Sequence, residues 1–166
     1  RLDVLDAQGD YDFAGLTVFG FTLTDGPFDA MGLVFESLSI EAESAWTDEG
    51  CALAGESGAP ALVGGGDLSG GSTNTLDLSN AAPNATAGLF LGFASTPVAF
   101  KGGTLKPNPF LPPVFVTTSP AGEVPLSFVL PVGLPSGGEL WVQWGIVDLA
   151  APAGVALSNA VLGVTP

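Results

Sequence analysis

Glu139-Leu-Trp-Val-Gln-Trp-Gly-Ile-Val-Asp148 is the stretch whose periodicity decides the fold. Leu140, Val142, Trp144 and Ile146 fall on one side at period two, and Trp141, Gln143 and Val147 on the other, which describes a central β-strand covered on both faces. The next segment, Ala150–Gly154, carries Pro152 and Gly154 and is too short for a helical crossover. The chain is therefore expected to return as an antiparallel neighbour through Val155–Val164. A strand of this kind predicts a sandwich, with Trp141 and Trp144 both buried on opposite sides of it.

Working outward, short strand candidates recur at intervals near ten residues: Thr75–Ser79, Ala87–Phe93, Val98–Phe100, Val114–Thr117 and Val124–Leu130. Gly 24 and Pro 14 among 166 residues suit many strands joined by turns, and 46% hydrophobic content is enough to offset the entropy of ordering the chain. The class expected is all-β, an antiparallel β-sandwich of jelly-roll or Ig-like kind, with helix nearly absent. Ala54–Ser72, rich in Gly, Ala and Ser, reads as a connection. Lys106–Pro113 holds four prolines in eight residues and reads as an extended edge or loop with little ladder pairing.

The chain divides in character near Gly50. Residues 1–50 hold eleven acids against Arg1, a net of −10, and residues 51–166 hold six acids against Lys101 and Lys106, a net of −4, which together make −14. The expected organisation is an acidic extension over 1–49 and a sandwich module over 50–166. Within the extension, Leu16–Leu23 places Phe19, Phe21 and Leu23 on one face, and Leu16 and Val18 on the other, as a strand would. Leu33–Glu41 is a second strand candidate, with a helix over Ala30–Ser44 as its rival because Met31, Val34, Phe35, Leu38 and Ala42 also suit a helical face.

With three basic residues in all, no patch exists to neutralise phosphates, so nucleic acid is excluded as a partner, and an anionic membrane surface would repel the chain. No run of 18 apolar residues occurs, so membrane insertion by a helix is not expected. Cys51 is alone and reads as a small buried residue, with interchain bonding or lipid attachment as alternatives. The chain opens on Arg1 rather than Met, which fits a secreted product with its signal removed or an expressed fragment.

From Gly50 onward a set of short motifs occurs in order: Gly50-Cys51, Gly58-Ala59-Pro60-Ala61-Leu62, Leu76–Leu78, Ala82-Pro83-Asn84, Gly88-Leu89-Phe90-Leu91-Gly92, Gly102-Gly103-Thr104-Leu105, Ala121-Gly122, Leu130-Pro131, Trp141-Val142-Gln143 and Leu157-Ser158-Asn159-Ala160. In this order the chain resembles the C-terminal β-sandwich module of large secreted proteins of planctomycetes and myxobacteria, over residues 50–166. The resemblance implies an extracellular or cell-surface module of uncharacterised function, with no catalytic residues to carry over.

The chemistry narrows by elimination. With no His, Ser-His-Asp and Cys-His hydrolysis and His-ligated metal sites are excluded. A Ser-Lys dyad would need Lys101 or Lys106, neither beside a serine with an elbow motif. Paired carboxylates would have to come from Glu123, Glu139 and Asp148, which read more plainly as acids at strand ends. Catalytic and cofactor-binding residues are therefore expected to be none. Asp6, Asp10 and Asp12 around Gly9 offer hard oxygen ligands for Ca²⁺ without matching the EF-hand spacing, and read more plainly as a solvated acidic turn. Asn84-Ala85-Thr86 is the one sequon, a glycosylation candidate.

Two functions remain. The first is a structural protomer of an extracellular fibre whose partners are copies of itself, joined by β-strand exchange or addition through Leu16, Val18, Phe19, Phe21 and Leu23. The second is a carbohydrate-binding or adhesive module in which Trp46 or Tyr11 stacks on glycans.

Overall fold

A computed structural model describes residues 44–166. The expectations on Asp6, Asp10, Asp12 and Tyr11, on the strands Leu16–Leu23 and Leu33–Glu41, and on the rival helix up to residue 43 lie outside the described residues. The compact unit to which residues 44–166 belong begins at Glu43. Its strands are β1 (Trp46–Gly50), β2 (Ala61–Gly65), β3 (Thr73–Ser79), β4 (Thr86–Phe100), β5 (Gly103–Pro109), β6 (Val114–Thr117), β7 (Val124–Val129), β8 (Glu139–Val147), β9 (Val155–Leu157) and β10 (Ala160–Val164), and no helix occurs among the described residues. Trp46–Gly50, which precedes the expected division at Gly50, is thus a strand of the sandwich.

All pairings are antiparallel and form two sheets. The larger runs β1-β10-β8-β4-β5, with β6 also on β4 and β9 also on β8; the smaller runs β2-β3-β7. As its pattern demands, β8 is central, with Val142 opposite Leu91 of β4 on one side and opposite Val161 of β10 on the other. The expected return strand is real but broken in two at Ser158-Asn159. At the break, Trp144 N donates to the Ser158 hydroxyl at 2.9 Å while Ser158 N donates to Trp144 O at 3.0 Å, so the ladder is held across the gap partly by a side chain.

On the inner face, Val142, Trp144 and Ile146 of β8 pack with Ala87 and Leu89 of β4 against Leu62, Leu76, Leu78 and Val124 of the small sheet. Full burial of each large aliphatic among them contributes roughly 1.5–3 kcal/mol. Trp46 is buried in the same core, at 8% exposure, edge-on to Phe128 with ring centroids 6.4 Å apart. It lies where Cβ atoms on Gly64 and Gly163 would stand, so two facing glycines open its slot. The expectation that Trp46 stacks on sugar is therefore corrected: its indole is spent on the core.

The outer face of β8 is covered by a different device. A straight strand of ten residues spans about 33 Å, yet the rings of Phe90 and Phe100, both on β4, lie 5.5 Å apart. So β4 doubles back on itself, through register shifts between Gly92 and Ser95 and between Ser95 and Val98. The bend explains why the sequence reads there as two strands. Its second half and β5 come over the outer face of β8, where Gln143, fully buried, donates to Thr104 O at 3.1 Å and Ser158 O at 3.0 Å and accepts from Lys106 N at 3.0 Å. A buried amide with three bonds carries little desolvation penalty. Trp141 lies on the same face, buried, its indole N–H donating to Glu139 at 2.7 Å; the two tryptophans take opposite faces as the alternation requires.

Three further expectations change. Ala54–Ser72 contains β2, hidden in the sequence because Gly64 and Gly65 dilute its apolar pattern. Lys106–Pro113 pairs more than expected, with Pro107 opposite Ser95 and Pro109 opposite Gly92. Gly92 is what permits this: a Cβ there would stand 2.5 Å from Asn108 O. Cys51 is exposed rather than buried, in a left-handed backbone at φ 70°.

Candidate functional site

The two sheets do not close against each other on every side. Between β7 and the first half of β4 lies an open groove of about 250 Å³, lined from the large sheet by Leu89, Leu91, Phe93 and Leu140, from the small sheet by Leu76, Leu126 and Phe128, and at its rims by Leu130 and Phe110. Every lining side chain is apolar. Local sequence builds each wall. Leu89, Leu91 and Phe93 alternate inward along β4, and Leu126, Phe128 and Leu130 do so along β7 and its continuation. Phe93 sits where β4 begins its bend, 64% exposed, and stacks on Phe110 with centroids 4.3 Å apart. A smaller hollow of about 70 Å³ continues the groove past Phe93, Leu130 and Leu140 to Leu134, Pro135 and Thr165. The groove is open and apolar, and two of its aromatics, Phe93 and Phe110, are exposed.

Beside the groove, among the described residues, the small sheet ends at β7. The other end of that sheet, β2, is occupied. Asn159 accepts from Leu62 N at 2.6 Å and donates to Leu62 O at 2.9 Å, while its amide also donates to Asp48 at 3.0 Å. Its side chain stands in for the next strand.

The candidate chemical groups are placed as structural parts. Glu139 accepts from Trp141; Asp148, 4% exposed, accepts from the backbone N–H of Glu56 at 2.8 Å and of Ala150 at 2.9 Å; Glu123 is exposed just ahead of β7. Lys106 Nζ donates to Glu49 Oε2 at 3.0 Å and to Glu49 O at 2.6 Å, tying the pro-rich strand to β1. Asp67 is fully exposed, and the Ser69 N–H, then the Ser72 hydroxyl, hold its carboxyl below the usual carboxylate range. Asn84 occupies an exposed turn between β3 and β4 with φ 51°, where its side chain is open to solvent. The metal candidates Asp6, Asp10 and Asp12 and the assembly candidates Leu16, Val18, Phe19, Phe21 and Leu23 are outside the described residues. Among the described residues, no group of three or more His, Cys, Asp or Glu stands close enough to hold a metal ion.

The groove itself escaped the sequence. Its residues alternate as any half-buried strand does, and nothing in the pattern of Ala87–Phe93 or Val124–Leu130 says that the layer opposite stops short. Compared with known proteins, the chain matches no family model, no curated protein and no solved structure.

Proposed function

We propose that the chain is a non-catalytic structural protomer of an extracellular fibre or surface assembly, whose copies join by β-strand exchange or addition through Leu16–Leu23. The observation that supports this most is the wholly apolar groove between β4 and β7, with Phe93 and Phe110 exposed along it. Phe19, Phe21 and Leu23 are the complementary feature: three large side chains at period two, with Gly20 between the aromatics to let another backbone approach. Burying them would contribute roughly 1.5–3 kcal/mol each. The extracellular setting rests on the resemblance of residues 50–166 to modules of large secreted proteins. A structural role agrees with the engagement of Glu139 and Asp148 in hydrogen bonds that hold strand ends.

The net charge of −14 makes free copies repel one another, so assembly strengthens as salt or a divalent cation screens them. Deleting residues 1–24 is the direct test. The shortened chain stays folded, soluble and unassembled, while electron microscopy of the intact chain shows polymers. Uniformly single particles of the intact chain at high concentration and high salt would end this reading.

A further inference from the structure

The edge of β7 has a definite backbone polarity, which follows from Asn159. Because Asn159 takes both backbone groups of Leu62, those groups point away from β3, so the pair Leu62 and Leu78 is one that exchanges no ladder bonds. Leu78 therefore turns its own N–H and C=O toward β7. In the β3–β7 register, Val124, Leu126 and Phe128 are then the residues bonded to β3, and Pro125, Ser127 and Val129 face outward. Two facts agree with this parity. Pro125, which has no N–H to offer, occupies an outward position, and Leu130 O, in phase with Phe128, accepts from Gly71 N at 2.8 Å on the β3 side. Among the described residues, no other backbone group bonds to Ser127 or Val129 on the outward side.

Three of the remaining edges are guarded, while β6, on which Val114 and Phe115 are exposed, carries neither a charge nor a proline. Asn159 covers β2 at Leu62; β1 carries Asp48 and Glu49; β5 and the segment leading to β6 carry Pro107, Pro109, Pro112 and Pro113. Among the described residues, β7 combines outward N–H groups, to which no described backbone group bonds, with an adjoining apolar groove.

Resting on the assembly reading above, we propose that β7 is the acceptor edge: Leu16–Leu23 of a second copy joins it as a fourth strand of the small sheet. That strand bonds to the outward groups of Ser127 and Val129 and lays Phe19, Phe21 and Leu23 over Leu89, Leu91 and Phe93. A strand of eight residues spans about 26 Å, enough to run the length of the six-residue β7 and onto the hollow beyond Leu130. The added strand also closes the core, because it lies over the part of β4 that the three-stranded sheet leaves uncovered.

The test uses the full chain carrying Phe19→Asp and Phe21→Asp, which leaves the groove intact and removes its own donor, with a synthetic peptide of residues 14–25 as probe. Amide hydrogen exchange is followed residue by residue. The peptide is expected to slow exchange at Ser127 and Val129 by about tenfold or more at saturation, and to leave Leu126 and Phe128, already bonded to β3, unchanged. Adding Ser127→Pro to the chain is expected to weaken the peptide by about tenfold. Protection along β1 or β6 instead overturns β7 as the acceptor while leaving strand addition standing. Binding that perturbs Phe93 and Phe110 without protecting any amide overturns strand pairing altogether. Absence of binding, when the intact chain nevertheless polymerises, shows that residues 16–23 are not the donor and overturns the inference.

Discussion

The two ends of the three-stranded sheet offer the same backbone groups and are treated in opposite ways. At β2, the carboxamide of Asn159 closes on Leu62 like a piece of neighbouring strand, and Asp48 holds that carboxamide in turn. At β7, nothing among the described residues bonds the outward groups of Ser127 and Val129, and the groove beside them is lined with leucine and phenylalanine. Edge strands are hazards in soluble proteins because they template pairing with other chains. The acceptor role proposed for β7 rests on this contrast between an edge sealed by a specific side chain and one that, among the described residues, lies beside an apolar groove.

The difference can be broken most severely inside β7 itself. Leu126 and Ser127 are neighbours of opposite parity, so proline should act very differently at each. Leu126→Pro removes a ladder bond to β3 and is expected to cost about 3 kcal/mol or more, read as a lowered midpoint in chemical denaturation. Equal loss from Ser127→Pro, expected to stay within about 1 kcal/mol, would refute the parity derived from Asn159. The sealed edge comes next. Asn159→Ala strands the N–H and C=O of Leu62 and should destabilise by about 1–3 kcal/mol, with increased exchange at the Leu62 amide as its local signature. The smallest stability change is expected at the open groove. Phe93→Ser, at a side chain 64% exposed, should alter stability by less than about 1 kcal/mol while reducing polymer formed at a given concentration. A core-sized loss of stability with unchanged assembly would show that Phe93 serves the bend of β4 instead.

Parts of this architecture were legible residue by residue. The alternation of Glu139–Asp148 placed a two-faced strand at the centre, put Trp141 and Trp144 on opposite sides, and required a layer on each; all three hold. The strand at Val114–Thr117 has the bounds the pattern indicates, and Val124–Leu130 differs from β7 by one residue. Other parts were not legible. Gln143 appears in sequence as a polar interruption of an apolar strand, and only the return of β5 across it supplies Thr104 O and Lys106 N as partners. Trp46 looks like an exposed aromatic beside acids until Gly64 and Gly163, distant in sequence, are brought to face it.

What the sequence determined by itself is therefore what depends on local period and turn chemistry: β-strands, their approximate limits, an antiparallel sandwich and a strongly acidic surface. Side-chain alternation has period two whatever lies opposite, so it states which residues face inward but not how far the covering layer extends. The tertiary structure decided the rest. The doubling back of β4, the side-chain seal on β2, the end of the small sheet at β7 among the described residues and the groove beside it all arise from contacts between residues tens of positions apart, as when Asn159 meets Leu62, 97 residues away. No local pattern encodes such meetings, because the same short strand can lie at a sealed edge or an open one with no change in its own residues.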